Sequence, residues 1–136
     1  LLGAEGDIVL VVDALWRQKD SNPSSRTRDL VTCTEEFDSS YLGNEGVRLM
    51  NIAHDIPENE IHGEWIGLAK FSDVGIQKLR EEIQKFSKSG GLETASMTDL
   101  FERLLQSRSE IRVEYIAGHW LDVDNSGDLS EAQKFL

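Results

Sequence analysis

Asp7-Ile8-Val9-Leu10-Val11-Val12-Asp13 is an unbroken, largely β-branched run closed on one side by Gly6 and on the other by a polar segment. Apolar residues in succession, without alternation, are the pattern of a strand buried on both faces, and such a strand needs helices to cover it. A layered α/β sheet is therefore expected around it. Asp13 stands at the carboxyl end of the run, where open sheets place their sites.

Outward from this run, Trp16 to Arg28 is polar, contains Asn22-Pro23-Ser24-Ser25, and reads as a loop. Asp29 to Thr34 reads as a second short strand, Ser39 to Gly46 as a turn, and Val47 to His54 alternates like a strand with one wetter face. After a break at Pro57-Glu58-Asn59-Glu60, Ile61 to Phe71 reads mostly as a strand, whose Gly63 and Gly67 point to close backbone approach. Ser72-Asp73 supplies an N-cap, and Val74, Ile76, Leu79, Ile83 and Phe86 then fall near helical spacing up to Gly90-Gly91. Ser96 caps a second predicted helix over Met97 to Gln106, with Met97, Leu100, Phe101, Leu104 and Leu105 on its apolar face. Ile111 to Ile116 alternates as a strand, Gly118 to Val123 reads as a short extended piece, and a last helix is expected from Leu129. Interleaved strands and helices without an internal repeat fit one layered domain.

The 136 residues, 39% hydrophobic, suffice for one core. Because a core strand begins so near Leu1, the chain is expected to be a piece of a larger fold. No apolar stretch has the length of a membrane span and no secretion signal opens the chain, so a cytoplasmic protein is expected. Cys33 is the single cysteine, which excludes an intramolecular disulfide and a cysteine metal cluster. A net charge of −11, with no basic stripe interleaved with aromatics, argues against nucleic acid as partner. A phosphorylated small molecule stays compatible with that charge if a divalent cation neutralises the contact.

Two metal chemistries compete for Gly118-His119-Trp120-Leu121-Asp122-Val123-Asp124-Asn125-Ser126-Gly127-Asp128-Leu129. As an EF-hand calcium loop it would take Asp122, Asp124, Ser126, Asp128 through its backbone, and Ser130, with Gly127 at the turn. The closing ligand would be Gln133, a neutral amide in place of the bidentate carboxylate that completes a calcium shell. The entering segment also alternates like a strand instead of forming a helix.

The other chemistry comes from resemblance. Asp7 to Trp16, Ile61-His62-Gly63-Glu64-Trp65-Ile66-Gly67-Leu68 and Gly118 to Asp124 through Leu129, in that order, resemble the later part of the sugar-phosphate and phosphocholine type nucleotidyltransferases. The nearest likeness is to the nucleotidyltransferase domain that accompanies phosphoenolpyruvate mutase in phosphonate-making proteins. That resemblance implies a Rossmann-like mixed sheet flanked by helices, and Mg²⁺ held by Asp124 and Asp122, whose hard carboxylate oxygens lie on one face of an extended segment. It implies an NTP, CTP in particular, as donor and a small phosphate or phosphonate as acceptor.

His62, Glu64 and Trp65 fall where such enzymes meet the acceptor, and a carboxylate with an aromatic face can together hold a cationic amine. His119 reads better as a core histidine than as a catalyst, and Asp13 is not assigned to the metal. Arg26, Arg28 and Lys70 could bring positive charge to phosphates. The glycine-rich triphosphate loop and the first metal aspartate of the family have no counterpart in this chain. It is therefore expected to act within a longer protein or, alternatively, to be a truncated, non-catalytic domain that covers an exposed sheet edge by forming a homodimer.

Overall fold

The computed structural model describes residues 6–19, 28–38 and 46–117. Strands β1 (Ile8–Asp13), β2 (Leu30–Cys33), β3 (Leu49–Ala53), β4 (Gly63–Phe71) and β5 (Arg112–Ile116) form a five-stranded sheet in the order β3-β2-β4-β1-β5. Helices α1 (Asp73–Ser89) and α2 (Met97–Gln106) flank it, so the chain is mixed α/β. β1 runs parallel to β5 and antiparallel to β4, and β2 runs antiparallel to both β4 and β3. The sheet thus leans on antiparallel pairing more than a wholly apolar β1 suggests, because β4 enters it between β2 and β1.

Every residue of β1 is buried. Ile8, Leu10 and Val12 join Val31, Ile52 and Val113 in a cluster that Phe101 and Leu104 of α2 complete. Strand alternation puts Val9, Val11 and Asp13 on the opposite face. The two edges of the sheet also meet. Leu49 N donates to Ile111 O at 2.8 Å and Val113 N to Val47 O at 2.9 Å, around an antiparallel bridge between Arg48 and Arg112. The edge strands are therefore stitched to each other at this point instead of both lying open.

The helix ends follow from the capping residues. Ser72 Oγ accepts from Gly75 N at 3.1 Å and its hydroxyl donates to Asp7 Oδ1 at 2.7 Å, which ties the start of α1 to the entrance of β1. Gly90 closes α1 in the left-handed conformation at φ 79°. At α2, Ser96 Oγ accepts from Asp99 N at 3.2 Å while Ser96 N donates to Asp99 Oδ2 at 2.9 Å, a reciprocal capping box. Buried Glu82 joins the two helices, accepting from Ser107 Oγ at 2.8 Å and from Lys85 Nζ at 3.1 Å.

Both glycines of β4 are required, for different reasons. A Cβ on Gly63 would lie 2.3 Å from Val12 Cγ1 and 2.8 Å from Asp13 O, the close approach expected of it. Gly67 has open space around it but adopts φ +89° within a bulge, where β4 places Ile66, Gly67 and Leu68 against Val11 alone. Among the described residues, no helix is long and apolar enough to cross a membrane.

Candidate functional site

The carboxyl end of β1 gathers the most unusual side chains of the sheet. Asp13 and Glu64 are cross-strand partners, and Glu64 is also the partner of Leu30 on its other side. Their exposures are 0% and 2%. Burying carboxylates is costly unless hydrogen bonds and counter-charges compensate them. Asp13 Oδ1 accepts from Leu15 N at 2.9 Å, which also shapes the turn that leaves the strand.

For Glu64 the compensation is Arg28. Two residues ahead of Leu30, Arg28 projects to the same face, and both Nη2 (2.8 Å) and Nε (3.2 Å) donate to Glu64 Oε1. Nη2 also donates to the carbonyl of Trp16, and the guanidinium lies 5.4 Å from the centroid of the Trp16 ring. An arginine suits this position because its flat fork can donate several hydrogen bonds while resting near an aromatic face. Lys70, grouped with Arg28 as a source of positive charge, is the partner of Val9 instead. It stands six residues along β4 from Glu64, about 20 Å at the usual rise per residue.

Neighbouring residues on a strand point to opposite faces, and this separates Glu64 from Trp65. Trp65 is opposite Val12 and packs edge-on against Phe101 of α2 with the ring centroids 5.1 Å apart. Its Nε1 donates to Leu68 O at 2.9 Å across the bulge. The two side chains thus do not converge into one carboxylate-and-ring grip. Trp65 backs the strand while Glu64 faces Arg28.

His62 is fixed along β2. Its backbone N donates to Val31 O at 2.9 Å, and its ring Nδ1 accepts from Cys33 N at 2.9 Å. An accepting Nδ1 places the neutral ring's proton on Nε2, which faces Glu36 Oε1 at 3.9 Å. Beside it, burial pushes the Cys33 thiol up to about 11, a shift that a hydrogen bond with Tyr115 partly offsets. Burial, and then the neighbouring Cys33, also push the Tyr115 hydroxyl above its ordinary value. Tyr115 donates to Glu35 O at 2.7 Å. This thiol is a packed, protonated group, without the character of a nucleophile.

Asp122 and Asp124, the expected metal ligands, lie outside the described residues, as do His119, Arg26, the whole calcium-type loop and the expected last helix. Among the described residues, no three His, Cys, Asp or Glu side chains are grouped so as to hold a metal ion. The partnership of Arg28 with Glu64 was readable only indirectly. Period two places Arg28 on the face of Leu30, but the pairing of β2 with β4 had to be known before Glu64 could be named as its partner. Trp16, the ring beside that guanidinium, enters the sequence reading only as the last residue of the Asp7–Trp16 block, with nothing to place it against Arg28.

The chain matches no protein-family model, no curated protein and no solved structure.

Proposed function

We propose that this chain is part of a Rossmann-like, magnesium-dependent nucleotidyltransferase that works within a longer protein and moves a cytidylyl group from CTP to a small phosphate or phosphonate. The observation that supports it best is the buried Asp13–Glu64 pair with Arg28 at the carboxyl end of β1. Ile116, the last residue of β5, pairs with Asp13 at that same end, and the segment carrying Asp122 and Asp124 follows it in sequence. In α/β sheets and barrels ligands gather at the carboxyl ends of the parallel strands, and β1 and β5 are such a pair.

In this reading an acceptor oxygen attacks the α-phosphorus of the nucleotide, the bond to the bridging oxygen breaks, and pyrophosphate leaves. Magnesium, when bound by Asp124 and Asp122, supplies the positive charge that this transfer requires. Arg28 holds the Glu64 carboxylate in one direction, and Glu64 is the acceptor-recognition group that the family resemblance implies. Trp65 acts as a positioning residue, holding β4 against α2 from the other face. His62 fixes the strand entrance through its bond from Cys33.

Tryptophan fluorescence tests the proposal, because Trp16 adjoins Arg28. CTP should change the emission only when Mg²⁺ is present. Tight Ca²⁺ binding with no response to any nucleotide would overturn the reading in favour of the calcium loop.

A further inference from the structure

We infer that the groove between the start of β3, the approach to β5 and the end of α2 binds a small phosphate ester, with Arg48 and Arg108 on the phosphate. The groove is a cavity of about 370 Å³ whose lining includes Thr34, Arg48, Met50, Leu105, Arg108 and Glu110. It is distinct from the Asp13–Glu64 cluster. Arg112, the bridge partner of Arg48, precedes Ile116, the partner of Asp13, by four residues, or about 13 Å along β5.

The groove brings two arginines into one lining of an acidic molecule. The chain carries a net −11, yet among the described residues neither Arg48 nor Arg108 has an ion-pair partner. The acidic residue of the lining, Glu110, already pairs with Arg112, Oε1 to Nε at 2.9 Å. The two arginines thus line the groove without an ion-pair partner among the described residues, and guanidinium forks match phosphate oxygens.

Both arginines are anchored by backbone. Arg48 N donates to Thr34 Oγ1 at 3.0 Å and Thr34 N donates to Arg48 O at 2.9 Å, an arrangement that leaves the Thr34 hydroxyl proton for a ligand oxygen. Arg108 follows the end of α2, where its N donates to Leu105 O at 3.0 Å and Ser109 N to Leu104 O at 2.9 Å. Its φ is 63°, a left-handed conformation that ordinarily selects glycine at this place after a helix. Met50, 61% exposed, and Leu105 add an apolar wall, which suits an ester's organic body and gives nothing to free phosphate.

Two exposed substitutions test this without threatening the fold. Phenyl phosphate and inorganic phosphate are titrated into the protein and followed by calorimetry and by backbone amide shifts. The wild type should bind phenyl phosphate more tightly than inorganic phosphate, with shifts centred on residues 48 and 108. Arg48→Ala and Arg108→Gly should each weaken binding about tenfold or more, the scale of one lost charge-assisted contact. Arg108→Gly should also raise the melting temperature by relieving the left-handed backbone, so that stability and affinity move in opposite directions. Unchanged affinity in both variants, no binding by the wild type, or shifts centred on Asp13 and Glu64 would each overturn the inference.

Discussion

Arg28 holds Glu64 across two strands, with Nη2 and Nε at 2.8 and 3.2 Å from the same carboxylate oxygen, while Glu64 itself is 2% exposed. An ion pair this deep costs much desolvation, so losing one partner is more damaging than losing both. Arg28→Ala should therefore destabilise the protein by about 3 kcal/mol, and Arg28→Ala with Glu64→Gln should recover part of that loss. Urea melts of the two variants check this; a double variant no more stable than Arg28→Ala would show that the charge of Glu64 is not what Arg28 compensates.

The three internal glycines should rank by cause. A Cβ on Gly75 would sit 2.1 Å from the Asp7 carbonyl, against backbone that cannot swing aside, so Gly75→Ala should cost about 2 kcal/mol or more and detach α1 from the entrance of β1. Gly63→Ala should cost a similar amount through Val12 and Asp13. Gly67→Ala meets open space and pays only for its positive φ, about 1 kcal/mol. Thermal denaturation of the three variants gives the order directly.

Glu82 should show in the acid limb of stability. Burial pushes its carboxyl up, but hydrogen bonds from Ser107 and Lys85, with the charges of Lys85 and Arg103, together hold it below its ordinary value. A carboxyl depressed in the folded state stabilises fully above its unfolded value of about 4.3, and that contribution disappears as pH falls through the folded value. Glu82→Gln should thus lower stability at pH 7 and flatten its fall below about pH 4. A pH series of denaturant midpoints that stays parallel to wild type would contradict this.

Cys33 should be silent towards thiol reagents in the folded protein. With the thiol held up to about 11, almost no thiolate exists at pH 8, and the side chain is 3% exposed. Alkylation by iodoacetamide at pH 8 should be at least about a hundredfold faster in denaturant than in buffer. The sign on stability is the reverse of Glu82: the protonated thiol favours the fold below about pH 8.5, and the benefit is lost as pH rises towards 11.

Elements with strong local grammar were legible. Ser72 to Gly90 carries cap, period and stop signals and Ser96 to Gln106 cap and period, and the helices lie at Asp73–Ser89 and Met97–Gln106. The β1 run announced its burial, and Gly63 its close approach. What pairs with what was not legible. Nothing in the residues of β4 says that it threads antiparallel between β2 and β1, or that Val47 and Val113 meet across the two edges. Those are long-range choices, decided by the whole sheet and not by any window of sequence.

The site divides in the same way. Glu64 and Trp65 are expected to grip a cationic amine together, as a carboxylate and an aromatic face in the segment that resembles an acceptor site, yet adjacency on a strand sends them to opposite faces. Asp13 was visible as a carboxylate at a strand end, but its partner Glu64 lies 51 positions away in the chain and is revealed only by the register of β1 with β4.

Pyrophosphate release tests the proposed function most directly. The longer protein that the proposal places around this chain, given CTP, Mg²⁺ and 2-aminoethylphosphonate or phosphocholine, should release pyrophosphate in step with a cytidylylated product. Glu64→Gln should raise the acceptor's KM at least about tenfold, the scale of a lost charged contact, while leaving that for CTP nearly unchanged. No pyrophosphate from any nucleoside triphosphate with any phosphate or phosphonate acceptor, from a folded protein, would contradict it.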